Sequence, residues 1–184
     1  LHKEYRRQRQ MCIRDRYIIA GAITGKNPFK SLRNMLPAYF TALGTSSSAA
    51  TIPVSLESTL KNGISKPVAS FVIPLCATIH LSGSMIKLTL YAFAIVYMAN
   101  LDISTSTGLG FIFLLGIMMI AAPGVPGGAV MVAAGLLADM MGFDDGMVAL
   151  MIAAYIAIDS VGTAANVTGD GAIAMIVDLS LIHI

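Results

Sequence analysis

The sequence predicts an all-α fold embedded in a membrane, and three observations carry that expectation. Hydrophobic residues make up 56% of the chain and charged residues 12%, against roughly a quarter charged in ordinary soluble domains. Ile103 to Ala138 carries no Asp, Glu, Lys or Arg, and Val68 to Asn100 carries only Lys87; both runs exceed the roughly 20 residues that span a bilayer. Both runs are also interrupted, at ATIHLSGS (Ala77–Ser84) and at APGVPGGA (Ala122–Ala129). Two prolines and three glycines in the second interruption forbid a continuous helix there.

The elements follow in chain order. Residues 17–26 read as the end of a preceding transmembrane helix. GKNPFKSLRN (Gly25–Asn34) carries Lys26, Lys30 and Arg33, which the positive-inside tendency places on the cytoplasmic side. Residues 27–63 read as a first re-entrant hairpin: Met35–Leu43 and Thr51–Leu60 are each too short to span, and TSSSAATIP (Thr45–Pro53) separates them, with Pro53 near the start of the second arm. KNGISK (Lys61–Lys66) is a polar turn, and residues 64–101 form a transmembrane helix broken in its middle. Residues 102–142 repeat the hairpin plan, with Gly108–Ala121 and Val130–Met141 as arms. After the acidic turn GFDDG (Gly142–Gly146), residues 143–178 read as one long helix, continuous from Met147 to about Asp178. Hairpin, broken span, hairpin and polar span is the order expected of an inverted-repeat transporter core, in which interrupted segments meet near the midplane.

The ends are read separately. MCIRDR (Met11–Arg16) can be encoded by ATGTGTATAAGAGACAG, whose reverse complement reads LSLIHI, the final six residues (Leu179–Ile184). Two unrelated hexapeptides thus fit opposite strands of one oligonucleotide resembling a sequencing-library adapter, so residues 1–16 and 179–184 are expected to be assembly artefacts. The net charge of +2 is set there. Leu1–Arg16 holds six of the twelve basic residues and two of the ten acids, leaving six basic against eight acidic. A basic arm beside a membrane is the other reading of that segment, and the remaining body offers no basic surface for nucleic acid. Cys12 falls in the first hexapeptide, which leaves Cys76 as a small packing residue.

The stretch IDSVGTAANVTGDG (Ile158–Gly171) carries the chemistry. At 100° per residue Asp159, Thr163, Asn166 and Asp170 fall within roughly 60° of one another, on one face. A carboxylate at the centre of a membrane helix costs about 2.5–3.5 kcal/mol on insertion scales. No Arg or Lys lies on this helix, so a bound cation or a ligand's amino group is the expected partner. Ser46–Ser48 lie where a broken hairpin exposes backbone donors that favour a carboxylate, and Val125–Gly128 form a glycine-rich tip that can offer carbonyls and hinge as a gate. His80 and Lys87 read equally as a histidine bonded within the bundle and a lysine reaching to the interface, or as functional groups.

TSSSAATIP, PLCATIHLSGS (Pro74–Ser84), APGVPGGA and DSVGTAANVTGD (Asp159–Asp170), in this order and spacing, resemble the dicarboxylate/amino acid:cation symporter family, which includes excitatory and neutral amino-acid transporters. The similarity covers Asn27 to about Asp178. It implies a secondary active symporter working by alternating access. Its partners would be a small amino acid, sodium and the lipid bilayer, with a homotrimer for the full-length protein, the cell membrane as its multi-pass location, and no organic cofactor or enzymatic activity. By position, Asp159 would hold the substrate's amino group. Asn166 and the backbone of Ser46, Ser47 and Ser48 would take its α-carboxylate, and Thr163, Val125 and Gly127 would complete the pocket. Asn166 and Asp170 would form one sodium site, and Thr78, Leu81 and second-hairpin carbonyls another.

Two departures from the family pattern matter. Acidic-substrate members carry an arginine immediately before the threonine of the last helix, where this chain has Gly162, so a neutral amino acid is expected. The motif asparagine-methionine-aspartate-glycine-threonine appears here as HLSGS, His80 to Ser84, so His80 and Ser82 stand at positions of a third sodium site that is expected to be weakened or absent because Ser82 replaces its aspartate, and His80 or Lys87 offers a route to proton coupling. The alternatives are an acidic amino acid or dicarboxylate as substrate, a channel built from the same broken helices, and an intramembrane hydrolase. Asp159 and Asp170 are about 16 Å apart along a continuous helix, which disfavours the last. For the ends, sequencing the source genome across both junctions is expected to show neither hexapeptide; native codons for both would overturn the artefact reading.

Overall fold

The computed structural model describes residues 2–182, with side chains described for residues 13–181. Leu1, the side chain of Cys12 and positions 183–184 of the final hexapeptide lie outside the described residues. Among the described residues all regular structure is helical.

Helix α1 (His2–Thr24) runs through position 16 without a break, and Ile13 packs against the buried cluster around Tyr17 and Met35. Asn27 starts α2 (Pro28–Asn34): its Oδ1 accepts from the amides of Phe29 and Lys30 at 3.0 and 3.1 Å, and Pro28 occupies the first turn, where its missing N–H costs nothing.

The first helical hairpin is α3 (Leu36–Thr45) and α4 (Ser48–Leu60). Its tip is narrower than TSSSAATIP suggested. Ser46 takes a left-handed conformation, with φ 51°, and closes α3; Ser47 accepts from the Ala50 amide at 3.2 Å and opens α4. Pro53 therefore lies inside α4 rather than at its start. At the opposite end Lys26 Nζ donates to the carbonyls of Asn62 and Gly63, at 2.9 and 3.0 Å, which satisfies acceptors just past α4.

Helices α5 (Lys66–Ile79) and α6 (Ser82–Met98) are separated only by His80 and Leu81, a shorter break than the eight residues expected. Lys66–Met98 taken together is the one stretch long and apolar enough by itself to cross a bilayer among the described residues. Asp178, at the far end of the chain, accepts from the Ser65 amide and hydroxyl at 3.1 and 2.6 Å and ties the start of α5 to the last helix.

The second hairpin pairs α7 (Thr105–Met118), extended by a 3-10 turn (Met119–Ala121), with α8 (Gly128–Met141). Gly142, at φ +66°, ends α8, and Asp144 accepts from the Met147 amide to open α9 (Asp145–Ala157). The expected continuous helix from Met147 to Asp178 is not found. The chain breaks at Ile158 and turns by 61° into α10 (Asp159–Ile182). The break sets Asp159 in the first turn of a helix, where the positive end of the helix dipole favours a carboxylate.

Two apolar cores result. One joins α6 to α9 through Phe111, Leu115, Val130, Leu137 and Met151; the other surrounds α10 with Tyr17, Met35, Ala38 and Ile73. From Gly162 to Ala172 every residue of α10 is buried, and α1, α3, α4, α5 and α6 enclose it. Small residues make this possible: a Cβ on Gly83 would lie 2.7 Å from the Gly162 carbonyl oxygen, and one on Gly171 would lie 2.6 Å from the Tyr17 hydroxyl. Many outward side chains are large and apolar, Phe113 reaching 70% exposure. Gly83→Ala is expected to destabilise the full-length protein by about 1–3 kcal/mol, read as a lowered melting temperature in detergent; an unchanged melting temperature would show that α6 and α10 can separate.

Candidate functional site

The site is built where α10 begins, between the two hairpin tips. The tips meet directly: Ser47 Oγ donates to the Gly124 carbonyl at 3.0 Å, and the Ala49 amide donates to the same oxygen at 3.2 Å. Beneath them a small cavity is lined by Ser46, Ser48, Ser84, Val125, Asp159 and Thr163. The tip of the second hairpin is held by a carboxylate. Gly127, at φ +75°, donates its amide to Asp159 Oδ2 at 2.8 Å; the positive φ suits glycine, which has no Cβ to clash.

The other oxygen of Asp159 meets a lysine. Lys87 Nζ, on α6, donates to Asp159 Oδ1 at 3.0 Å and to the Tyr155 carbonyl at 3.2 Å, and stands 3.3 Å from the centre of the Tyr155 ring. Lys87 is wholly buried and Asp159 is 4% exposed. This overturns two expectations. Asp159 does not depend on a bound cation or ligand for its counter-charge, because α6 supplies one that a reading of α10 alone could not show. Lys87 does not reach to an interface; a carboxylate, a carbonyl and an aromatic face together offset its desolvation.

Asp170, 1% exposed, has a partner too. His80 Nδ1 lies 2.6 Å from Asp170 Oδ1, while His80 Nε2 lies 3.0 Å from Ser82 Oγ and 3.1 Å from Arg16 Nη1. The carboxylate accepts, so Nδ1 carries the proton given to Asp170 and Nε2 accepts from the Ser82 hydroxyl. The reading of His80 as a histidine bonded within the bundle is the one the geometry matches.

Asn166 is likewise engaged. Its Oδ1 accepts from the Gly83 amide at 2.7 Å and its Nδ2 donates to Ser84 Oγ at 3.2 Å, so it fastens the start of α6 to α10. Thr163 Oγ1 lies within bonding distance of the carbonyls of Asp159 and Ser46, at 3.1 and 3.4 Å.

The structure therefore brings Ser46, Ser48, Val125, Asp159 and Thr163 to one cavity, with Leu81 also on its wall, and Gly127 onto Asp159. Ser47 is used in joining the tips. Thr78 is turned outward, exposed and bonded to the Leu75 carbonyl at 2.7 Å, away from the grouping with Leu81 that the sequence suggested. Gly162 faces Lys87: a Cβ there would lie 3.5 Å from Nζ. Sequence reasoning missed Tyr155 and Ser84. Tyr155 lies in an apolar run four residues before Asp159, and only the turn at Ile158 reveals its role.

The chain is similar to known proteins. The family model described as "Sodium:dicarboxylate symporter family" matches residues 16–180. The chain is 34% identical over 158 residues to excitatory amino acid transporter 1 of Ambystoma tigrinum, covering 85% of this chain and 29% of that protein. It is 32% identical over 157 residues to the human excitatory amino acid transporter 1, with the same coverage, and 29% identical over 154 residues to the human neutral amino acid transporter A, covering 83% and 29%. The chain thus spans under a third of the length of these relatives.

The buried ion pair gives a stability test. Asp159→Asn leaves Lys87 buried without its counter-charge and is expected to cost about 3–5 kcal/mol, whereas Asp159→Asn with Lys87→Met should recover most of that loss. Thermal unfolding of the full-length variants measures it; equal losses in the single and double variants would show the two residues are not coupled.

Proposed function

The chain belongs to the sodium:dicarboxylate symporter family, and we propose that it is the substrate- and ion-binding core of a membrane-embedded secondary symporter that carries an amino acid down a sodium gradient. The observation that carries this reading is the meeting of two helical tips over a polar cavity at the start of a buried helix. A single tip of this kind could be a capped loop. Two that bond to one another, the second also to a buried carboxylate, form a closure, as a transporter that alternately exposes one site requires.

In this reading α3–α4 and α7–α8 are re-entrant hairpins. The broken pair α5–α6 and the bent pair α9–α10, each long and apolar enough for one span, cross the bilayer. The Ser46–Ser48 tip takes the substrate's α-carboxylate, since the amides at the start of α4 favour an anion. Asp159 takes the amino group, and Thr163 lines the side-chain pocket. The second hairpin is the gate: the Gly127–Asp159 bond breaks as it lifts, exposing the carboxylate. Sodium is read at Asp170 and Asn166, with Leu81 and tip carbonyls forming a second site. The full-length protein is a homotrimer in this reading.

Gly162 favoured a neutral side chain because it removes a cation. Lys87 stands beside Gly162, and its ammonium is engaged by Asp159 and the Tyr155 carbonyl, so a neutral side chain remains the substrate class in this reading.

Each net charge carried across 100 mV contributes about 2.3 kcal/mol, enough for tens-fold accumulation. The full-length protein in proteoliposomes is expected to concentrate an amino acid only under an inward sodium gradient, and Asp159→Ala is expected to abolish uptake. Flux that equilibrates without accumulation, or that ignores sodium, would rule out symport and favour a channel.

A further inference from the structure

We infer that the base of the first hairpin is a docking surface for anionic lipid headgroups, built from Lys30, Arg33 and Lys66 with Phe29 beside them. The inference goes beyond symport: it uses only the embedding of the chain in a bilayer, and neither substrate nor sodium enters it.

Charge is the first argument. Six lysines and arginines follow position 16, and all but the buried Lys87 lie from Lys26 to Lys66, a stretch with one acid, Glu57. Beyond Lys87 the chain has no lysine or arginine, and the base of the second hairpin carries Asp102, Asp139, Asp144 and Asp145, all exposed. The broken span Lys66–Met98 runs between the two bases, and its 33 residues rise about 50 Å at about 1.5 Å each. The molecule is thus polarised along its length, basic at one end and acidic at the other.

Availability is the second. Two of the five cations at the basic end are engaged: Lys26 Nζ donates to the Asn62 and Gly63 carbonyls, and Lys61 Nζ lies 2.9 Å from Glu57 Oε1. Lys30, Arg33 and Lys66 are exposed and, among the described residues, their side chains make no ion pair or hydrogen bond. Asp178, the other acid at this end, is buried and bonded to Ser65. The surface is also fixed in shape. Asn34 Nδ2 donates to the Lys61 carbonyl and to Asn62 Oδ1, at 3.2 and 2.8 Å, and Asn62 Nδ2 donates to the Ser31 carbonyl at 3.2 Å, so α2 lies along the turn between α4 and α5. On α2 Phe29, Lys30 and Arg33 fall within about 100° of one another, while Ser31 faces the protein. Phe29 is 67% exposed, and Leu36 and Phe40 on α3 are exposed as well. Cations beside outward apolar side chains suit the boundary between headgroups and acyl chains, and an anionic leaflet carries the complementary charge.

The test titrates the full-length protein, in nonionic detergent without sodium or amino acid, with dioctanoyl phosphatidylglycerol and dioctanoyl phosphatidylcholine, read by calorimetry. Wild type is expected to bind phosphatidylglycerol more tightly, by about fivefold for each free cation and so about a hundredfold for the three, and the preference should shrink as salt rises. Lys30→Gln with Arg33→Gln and Lys66→Gln, which breaks no bond within the protein, should remove most of that preference. Phe29→Ser should weaken binding of both lipids, and Asp102→Asn with Asp139→Asn at the opposite base should leave the preference unchanged. Equal affinity of wild type for the two lipids overturns the inference, and so does a preference that survives the triple variant. Displacement of phosphatidylglycerol by equimolar inorganic phosphate overturns it as well, since the surface would then take a free anion. The assay contains neither substrate nor a gradient, so its failure is distinct from a failure of sodium-driven uptake, which would remove the symport reading alone.

Discussion

The constraint on which the structure depends is the enclosure of a polar stripe. Helix α10 carries Asp159, Thr163, Asn166 and Asp170 on one face, and from Gly162 to Ala172 it is buried on every side. An unpaired charge buried this way is among the costliest features a fold can hold. Helices packed around α10 must therefore do two things at once: approach closely enough to exclude solvent, and bring a partner to each polar group. The small residues Gly83, Gly162, Gly169 and Gly171 meet the first demand, and Lys87, His80, Ser84 and the Gly83 and Gly127 amides meet the second.

Breaks in helices supply several of those partners. A continuous helix satisfies its own amides and has none to offer; a helix that restarts leaves its first amides free for other acceptors. The interruption at His80–Leu81 frees the Gly83 amide for Asn166 and turns the His80 ring toward Asp170. The interruption between α7 and α8 frees the Gly127 amide for Asp159. Ile158 does the complementary thing, setting Asp159 at the positive end of α10 while leaving the Tyr155 carbonyl and ring against Lys87. Interruptions that look like damage to an apolar helix are what allow a polar centre to exist within it.

The relatives found for this chain include proteins named for excitatory and for neutral amino acids at similar identity, so overall likeness does not separate the two. Lys87 on α6 stands beside Asp159 and Gly162, so reading position 162 alone leaves out a cation next to that carboxylate. Lys87 also joins two parts of the site, since the carboxylate that holds its ammonium also holds the tip of the second hairpin.

Much of the fold was legible in the sequence because its signals are local. The charge-free runs, the two tips, the acidic turn and the face shared by Asp159, Thr163, Asn166 and Asp170 all depend on residues within a few turns of one another. The extents of the breaks were less legible: TSSSAATIP contains only two non-helical residues, since serine serves both as a cap and within a helix, and Ile158 breaks the last helix with no glycine or proline to mark it. Partners across helices were not legible at all. Lys87 and Asp159 are 72 positions apart, and His80 and Asp170 are 90 apart. Periodicity states which residues share a face of one helix and nothing about which other helix covers that face. The sequence by itself determined that two carboxylates lie in an apolar helix and must be compensated; the tertiary structure alone decided that the compensation comes from Lys87 and His80, because only packing brings α6 and the α5–α6 break against α10.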